Sequence, residues 1–230
     1  MPVSRVGLLL VQMDEVYARL RGRLEGLGDD EFFWEPVPGC WTVHRDRSGA
    51  WVVDYAEPDP EPAPEPAPFT TIGWRLVHIA DCKIMYHEWA FGRRALTWPD
   101  LVAPATAADA IARLEEGQDL LRAAAQGLGD DELDLPRWTN WGERWPAWRI
   151  LWTMIDHDAH HGAEIGCLRD LYRVTPGRRR LGRDRVAICS DLGREPLDGR
   201  LLGPLAAGEA TVDEKAEGDG QQRGDQHDGG

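Results

Sequence analysis

No stretch of the sequence approaches the roughly 20 apolar residues that a membrane-spanning helix needs. Its most apolar patch, Leu8-Leu9-Leu10-Val11, runs directly into MDEVYARLRGRL with no signal-peptide cleavage pattern. A cytoplasmic protein without a membrane partner is therefore expected. Cysteine is equally sparse: Cys40, Cys82, Cys167 and Cys189 are scattered with no C-x-x-C pair, which excludes a zinc ribbon and argues against a disulfide framework. Positive charge is in deficit. Twenty-six basic residues against 40 acidic ones leave a net charge of −14, so the long-range field repels phosphate and no nucleic-acid partner is expected. No internal repeat of solenoid period is present.

What is present is helix. With 230 residues and 42% hydrophobic content the chain can bury a real core. Val6, Leu9, Leu10, Met13, Val16, Tyr17, Leu20 and Leu24 recur at three- and four-residue steps and predict a first helix to about Glu25, stopped by Gly26 and Gly28. The segment LGDDEFFWEPVPGCW then reads as a loop in which Phe32, Phe33 and Trp34 form a packed plug. Two β-prone runs, Trp41 to His44 and Ala50 to Tyr55, flank a polar turn and predict a small hairpin. EPDPEPAPEPAPF, Glu57 to Phe69, is a proline-rich acidic connector, expected to be an extended strap.

A second helix starts at Thr70 or Thr71 and stops at Gly92, apolar on most sides, with His78 on one stripe with Trp74, Cys82, Met85 and Trp89, and His87 opposite. Thr106 and Asp109 open a third helix that Gly127 and Gly129 end. After the loop GDDELDLPRWTNWGERW, Pro146 leads into a fourth. The fold class predicted is all-α: a four-helix bundle over residues 1–173, with a long connection between the first two helices and a disordered tail over 174–230.

The fourth helix concentrates the chemistry. Trp152 to Tyr172, WTMIDHDAHHGAEIGCLRDLY, holds three of the chain's seven histidines within five residues. At about 100° per residue, His157 and His161 share one stripe, whereas His160 lies about 60° aside and is placed to pair with His157 or Glu164 instead. The first pair is preferred, although spacing alone does not choose. Metal sites in bundles are built from inward side chains of facing helices, and His78 in the middle of the second helix suits that plan. Three imidazoles leave an open position on an ion. Against this, a single buried histidine such as His78 is ordinarily a hydrogen-bonded core residue, and a buried cysteine such as Cys82 a small hydrophobe rather than a fourth ligand. Glu164 is placed to orient a ligand, to act as a catalytic base, or to be a solvated charge. The tryptophans around the fourth helix, Trp138, Trp141, Trp145, Trp148 and Trp152, are expected mostly as core or loop anchors. HDAHH differs from the zincin motif in having Asp158 where a glutamate is required.

In TIGWRLVHIADCKIMYHEWAFG and IDHDAHHGAEIGCLRDLY the chain resembles the DinB/YfiT-like superfamily of metal-binding four-helix proteins, over roughly Val6 to Arg173. The resemblance implies that His78, His157 and His161 form a metal triad for a divalent ion such as zinc, nickel or iron, and that two bundles form a homodimer. Superfamily members include transferases and isomerases that use low-molecular-weight thiols such as mycothiol or bacillithiol. A thiol S-transferase acting on an electrophilic substrate is therefore the expected function. A hydrolase with Glu164 or Asp158 as base, and a non-catalytic metal-binding stress or structural protein, are the alternatives.

Overall fold

The computed structural model describes residues 3–55 and 66–176. Its long helices are α1 (Arg5–Leu24), α3 (Ile72–Ala90), α4 (Ala107–Gln126) and α5 (Ala147–Val174); a single turn, α2 (Asp29–Phe32), follows α1. Each start has a local cause. The side chains of Ser4, Thr71 and Thr106 accept hydrogen bonds from the backbone N–H groups of Gly7, Trp74 and Asp109, at 3.0, 3.1 and 3.0 Å, satisfying donors that a helix N-terminus leaves unpaired. Pro146 precedes α5, where its missing N–H costs nothing. Gly26 ends the α1 region at φ +69°, a conformation that favours glycine.

The hairpin pairs β1 (Val43–Arg45) with β2 (Trp51–Val53) in antiparallel register, Val43 opposite Val53. Trp41 is tied to the entry of α3: its N–H donates to the Phe69 carbonyl at 2.8 Å, and its own carbonyl accepts from Thr71 at 3.0 Å. Two elements depart from the sequence expectation. The Gly28 segment, expected as loop, contains α2, and the loop before Pro146 contains a second antiparallel hairpin, β3 (Pro136–Trp138) with β4 (Arg144–Pro146). Both are too short for periodicity to register. The anticipated plug is present, with Phe32 and Phe33 buried. Residues 57–65 of the expected strap and 177–230 of the expected tail lie outside the described residues, whereas α5 itself continues to Val174.

Within the domain α3 packs on α4 and α5, and α1 on the same two helices, which closes a four-helix ring. Gly117 lets α3 and α4 approach closely, since a Cβ there would meet Lys83 Cβ at 3.0 Å and the Ala80 carbonyl at 3.1 Å. The apolar core falls into two clusters. One joins Phe32, Leu76, Ala80, Leu114 and Ile165 near the first hairpin; the other joins Met13, Tyr86, Leu121, Leu133 and Met154. His78, His157 and His161 stand near the boundary between them.

Candidate metal centre

His78 on α3 faces α5, and its ring centroid lies 5.2 Å from that of His157 and 5.2 Å from that of His161; the two α5 rings are also 5.2 Å apart. Three imidazoles thus stand at the corners of an equilateral triangle. The donor atoms divide differently. Those of His78, Cys82 and His157 lie within 4.8 Å of one another, while those of His161 group with His160 and Glu164. The difference has a cause: His161 Nδ1 is 2.7 Å from a Glu164 carboxylate oxygen, which turns that edge of the ring toward the carboxylate. Its Nε2 is left as the available donor.

The surroundings hold each ring. Trp74 stacks on His78 with centroids 4.8 Å apart and planes 14° apart, and Trp74 Nε1 donates to the Asp54 carbonyl at 2.6 Å, so the first hairpin fixes the tryptophan that fixes the histidine. Asp54 is itself held, accepting from the Thr42 N–H at 2.8 Å and lying 2.8 Å from His44 Nε2. Glu164 also pairs with the Arg75 guanidinium, which lies on α3 one turn before His78. A carboxylate on the remote nitrogen of an imidazole fixes its tautomer and raises its basicity as a ligand.

Electrostatics favour neutral rings. Burial, reinforced by His157 and Arg75, pushes His78 down to about 4. Burial also lowers His157, and burial with the neighbouring imidazoles and Arg75 lowers His161. A neutral imidazole is the form that ligates. His157 Nδ1 is buried and has no hydrogen-bond partner among the described residues, an arrangement that ordinarily requires explanation. A cation bound by that nitrogen would supply one, so the residues present fit a divalent ion.

The sequence profile of the DinB superfamily matches residues 12–165. The chain belongs to the DinB superfamily. Among solved structures it is similar to a DinB-like protein from Bacillus cereus ATCC 10987, with 18% identity, a TM-score of 0.49 and coverage of 76% of this chain and 97% of that one. No protein of curated function matches it.

In this DinB-superfamily chain the other expected residues divide clearly. His87 stays away from the triangle, in a pocket with Phe91, Glu116 and Arg137. His160 is exposed, 3.4 Å from Glu164. Cys82 is buried with Sγ 3.9 Å from both ring nitrogens of His78, and burial pushes its thiol up to about 12. Asp158, a candidate base for hydrolysis, is placed elsewhere: it turns about 100° from His157 into the bundle, where it meets Lys83 at 2.8 Å. Of the tryptophans near α5, Trp138 packs under the Arg144 guanidinium and Trp141 against Tyr86 and Trp145 as loop anchors, whereas Trp148 and Trp152 are exposed, contrary to expectation. Arg75 and Lys83 were not anticipated. The available signal was positional: both are cations in a helix that is otherwise largely apolar and buried.

Proposed function

We propose that this chain binds a divalent metal ion through His78, His157 and His161 and transfers a low-molecular-weight thiol, of the mycothiol or bacillithiol type, to an electrophile. The observation that carries the reading is the equilateral 5.2 Å triangle of imidazoles contributed by two helices. An ion held by these three histidines would supply a Lewis acid able to lower the pKa of a thiol. The chain's residues do the rest. His78 is oriented by Trp74, and His161 offers Nε2 while Glu164 holds Nδ1. Arg75 holds Glu164 in place. Trp41 and Tyr55, with centroids 6.0 and 5.8 Å from that of Trp74, extend an aromatic wall from the triangle toward solvent, suited to the apolar body of a substrate. In the reaction the thiol proton is lost to solvent, a carbon–sulfur bond forms, and the leaving group departs with its electron pair.

The hydrolytic alternative is weakened, because Asp158 is ion-paired in the core and Glu164 is engaged by Arg75 and His161. One observation favours a non-catalytic reading: the proximity of Cys82 to His78 and His157 offers a fourth protein donor, and four protein donors make a closed structural site. Elemental analysis of protein purified without chelators, followed by turnover of 1-chloro-2,4-dinitrobenzene with and without mycothiol or bacillithiol, tests the proposal. Activity that needs both metal and thiol is expected. Metal-free protein, or bound metal with no thiol-dependent turnover, would reject it, and a cobalt-substituted protein with a Cys82-dependent thiolate charge-transfer band would establish the closed site.

A further inference from the structure

A polar layer separates the two apolar clusters, and one ammonium occupies it. Lys83 Nζ donates to Asp158 Oδ2 and to Gln118 Oε1, each at 2.8 Å, and stands 5.8 Å from the centroid of the Tyr17 ring. Those four residues belong to α3, α5, α4 and α1, so a single charged group touches every long helix of the bundle. The Lys83 and Asp158 side chains are each 1% exposed. On α3 the layer falls between Ala80 and Tyr86, on α4 between Leu114 and Leu121, and on α5 between Ile155 and Ile165, in each case where one apolar cluster gives way to the other. Asp158 directly follows His157, and Lys83 lies five residues beyond His78.

Apolar packing by itself specifies this alignment weakly. Met154, His157, His161 and Ile165 recur every three or four residues along α5, so a one-turn slip of about 5.4 Å against α3 would still set a histidine opposite His78 and apolar groups against apolar groups. The same slip would strand Lys83 and Asp158 as unpaired buried charges, which a low-dielectric core strongly disfavours. Asp158 Oδ1 and Gln118 Nε2 are already buried without a partner among the described residues, so the layer is not arranged for maximal stability. Fixing register is the best-attested use of such buried polar groups.

We propose that Lys83, Asp158 and Gln118 are positioning residues that fix the register of α5 against α3 so that the rings of His78, His157 and His161 meet. The inference draws on the metal-binding reading for one of its two readouts. In the full-length chain, Lys83→Met with Asp158→Leu is expected to keep a helical spectrum and a melting temperature at or above that of wild type. Its affinity for nickel, measured by chelator competition, falls at least about tenfold, and in the metal-free state its histidine ring NMR signals multiply or broaden. Lys83→Gln with Asp158→Asn retains a hydrogen-bonded pair and restores single signals and near-wild-type affinity. Unchanged affinity and single ring signals in the Met/Leu pair overturn the proposal; so does a Met/Leu pair that does not fold, because the layer would then hold the fold rather than its register. Affinities that merely track melting temperature across both pairs overturn it as well. If wild-type protein takes up no nickel, the metal-binding reading fails, while the ring signals of the metal-free proteins still judge the register.

Discussion

Trp74 lies flat against His78, with centroids 4.8 Å apart and a 14° angle between planes, and its indole N–H is anchored on the Asp54 carbonyl of the first hairpin. The hairpin, distant from the bundle core in sequence, therefore sets the orientation of a candidate ligand. Trp74→Leu is expected to weaken metal binding about tenfold, the lower end of the loss usual for a group that orients a ligand. Trp74→Phe, which keeps a flat ring, should lose less. Competition with a chromophoric chelator measures both, and equal affinities for wild type and the leucine variant would show the stack to be incidental.

Single alanine substitutions at His78, His157 and His161 should each remove bound metal, since two imidazoles make a far weaker site than three. His87→Ala should retain it, because His87 lies in a separate pocket with Phe91 and Arg137. His160→Ala is the closer control: its side chain is 62% exposed and outside the triangle. Metal content by elemental analysis decides, and loss of metal in His160→Ala with retention in His161→Ala would move the site to the outer face of α5.

Glu164→Gln should reduce metal affinity about tenfold and Glu164→Ala by up to about 100-fold. The amide can still accept from the His161 ring but cannot balance Arg75, whose side chain is 12% exposed. Both variants should also melt earlier than wild type, because each leaves that guanidinium without its counter-charge. An unchanged affinity in Glu164→Ala would remove the carboxylate from any role at the centre.

In metal-free protein the contribution of His78 to stability should be lost as pH falls from about 6.5 to about 4. The native His78 ring, held down to about 4, refuses a proton that the unfolded chain takes up below 6.5. Its contribution is therefore complete above 6.5 and disappears through the lower value, and amounts to about 3 kcal/mol. Asp81, which burial pushes up to about 7 despite the Arg113 guanidinium at 2.8 Å, acts in the opposite sense across this whole range. Because Asp81 is present in both proteins, the difference between wild type and His78→Gln removes its contribution and leaves that of His78 together with its repulsion of His161. Urea unfolding in chelator at pH 7 and pH 4.5 should show a smaller drop for the variant; equal drops would contradict the depressed pKa.

Local physics made much of this protein legible in one dimension. Thr71 and Thr106 mark helix starts because a side-chain oxygen three residues before a free N–H caps it wherever the helix lies. The first hairpin and the common stripe of His157 and His161 follow in the same way from periods of 2 and 3.6 residues. The resemblance carried by the two histidine helices likewise led to the superfamily that the profile match shows. Tertiary structure decided what each stripe faces. Spacing along α5 puts Asp158 about 100° from His157, but only the position of α3 gives it Lys83 as a partner and removes it from the candidate site. Glu164 had three roles open to it in the sequence, and the approach of Arg75 across the helix interface placed it against His161. The stack of Trp74 on His78 depends on a hairpin carbonyl 20 residues earlier in the chain. Helical periodicity fixes angles about one axis, whereas a site is made by the distance and rotation between axes, which the packing of the whole core determines.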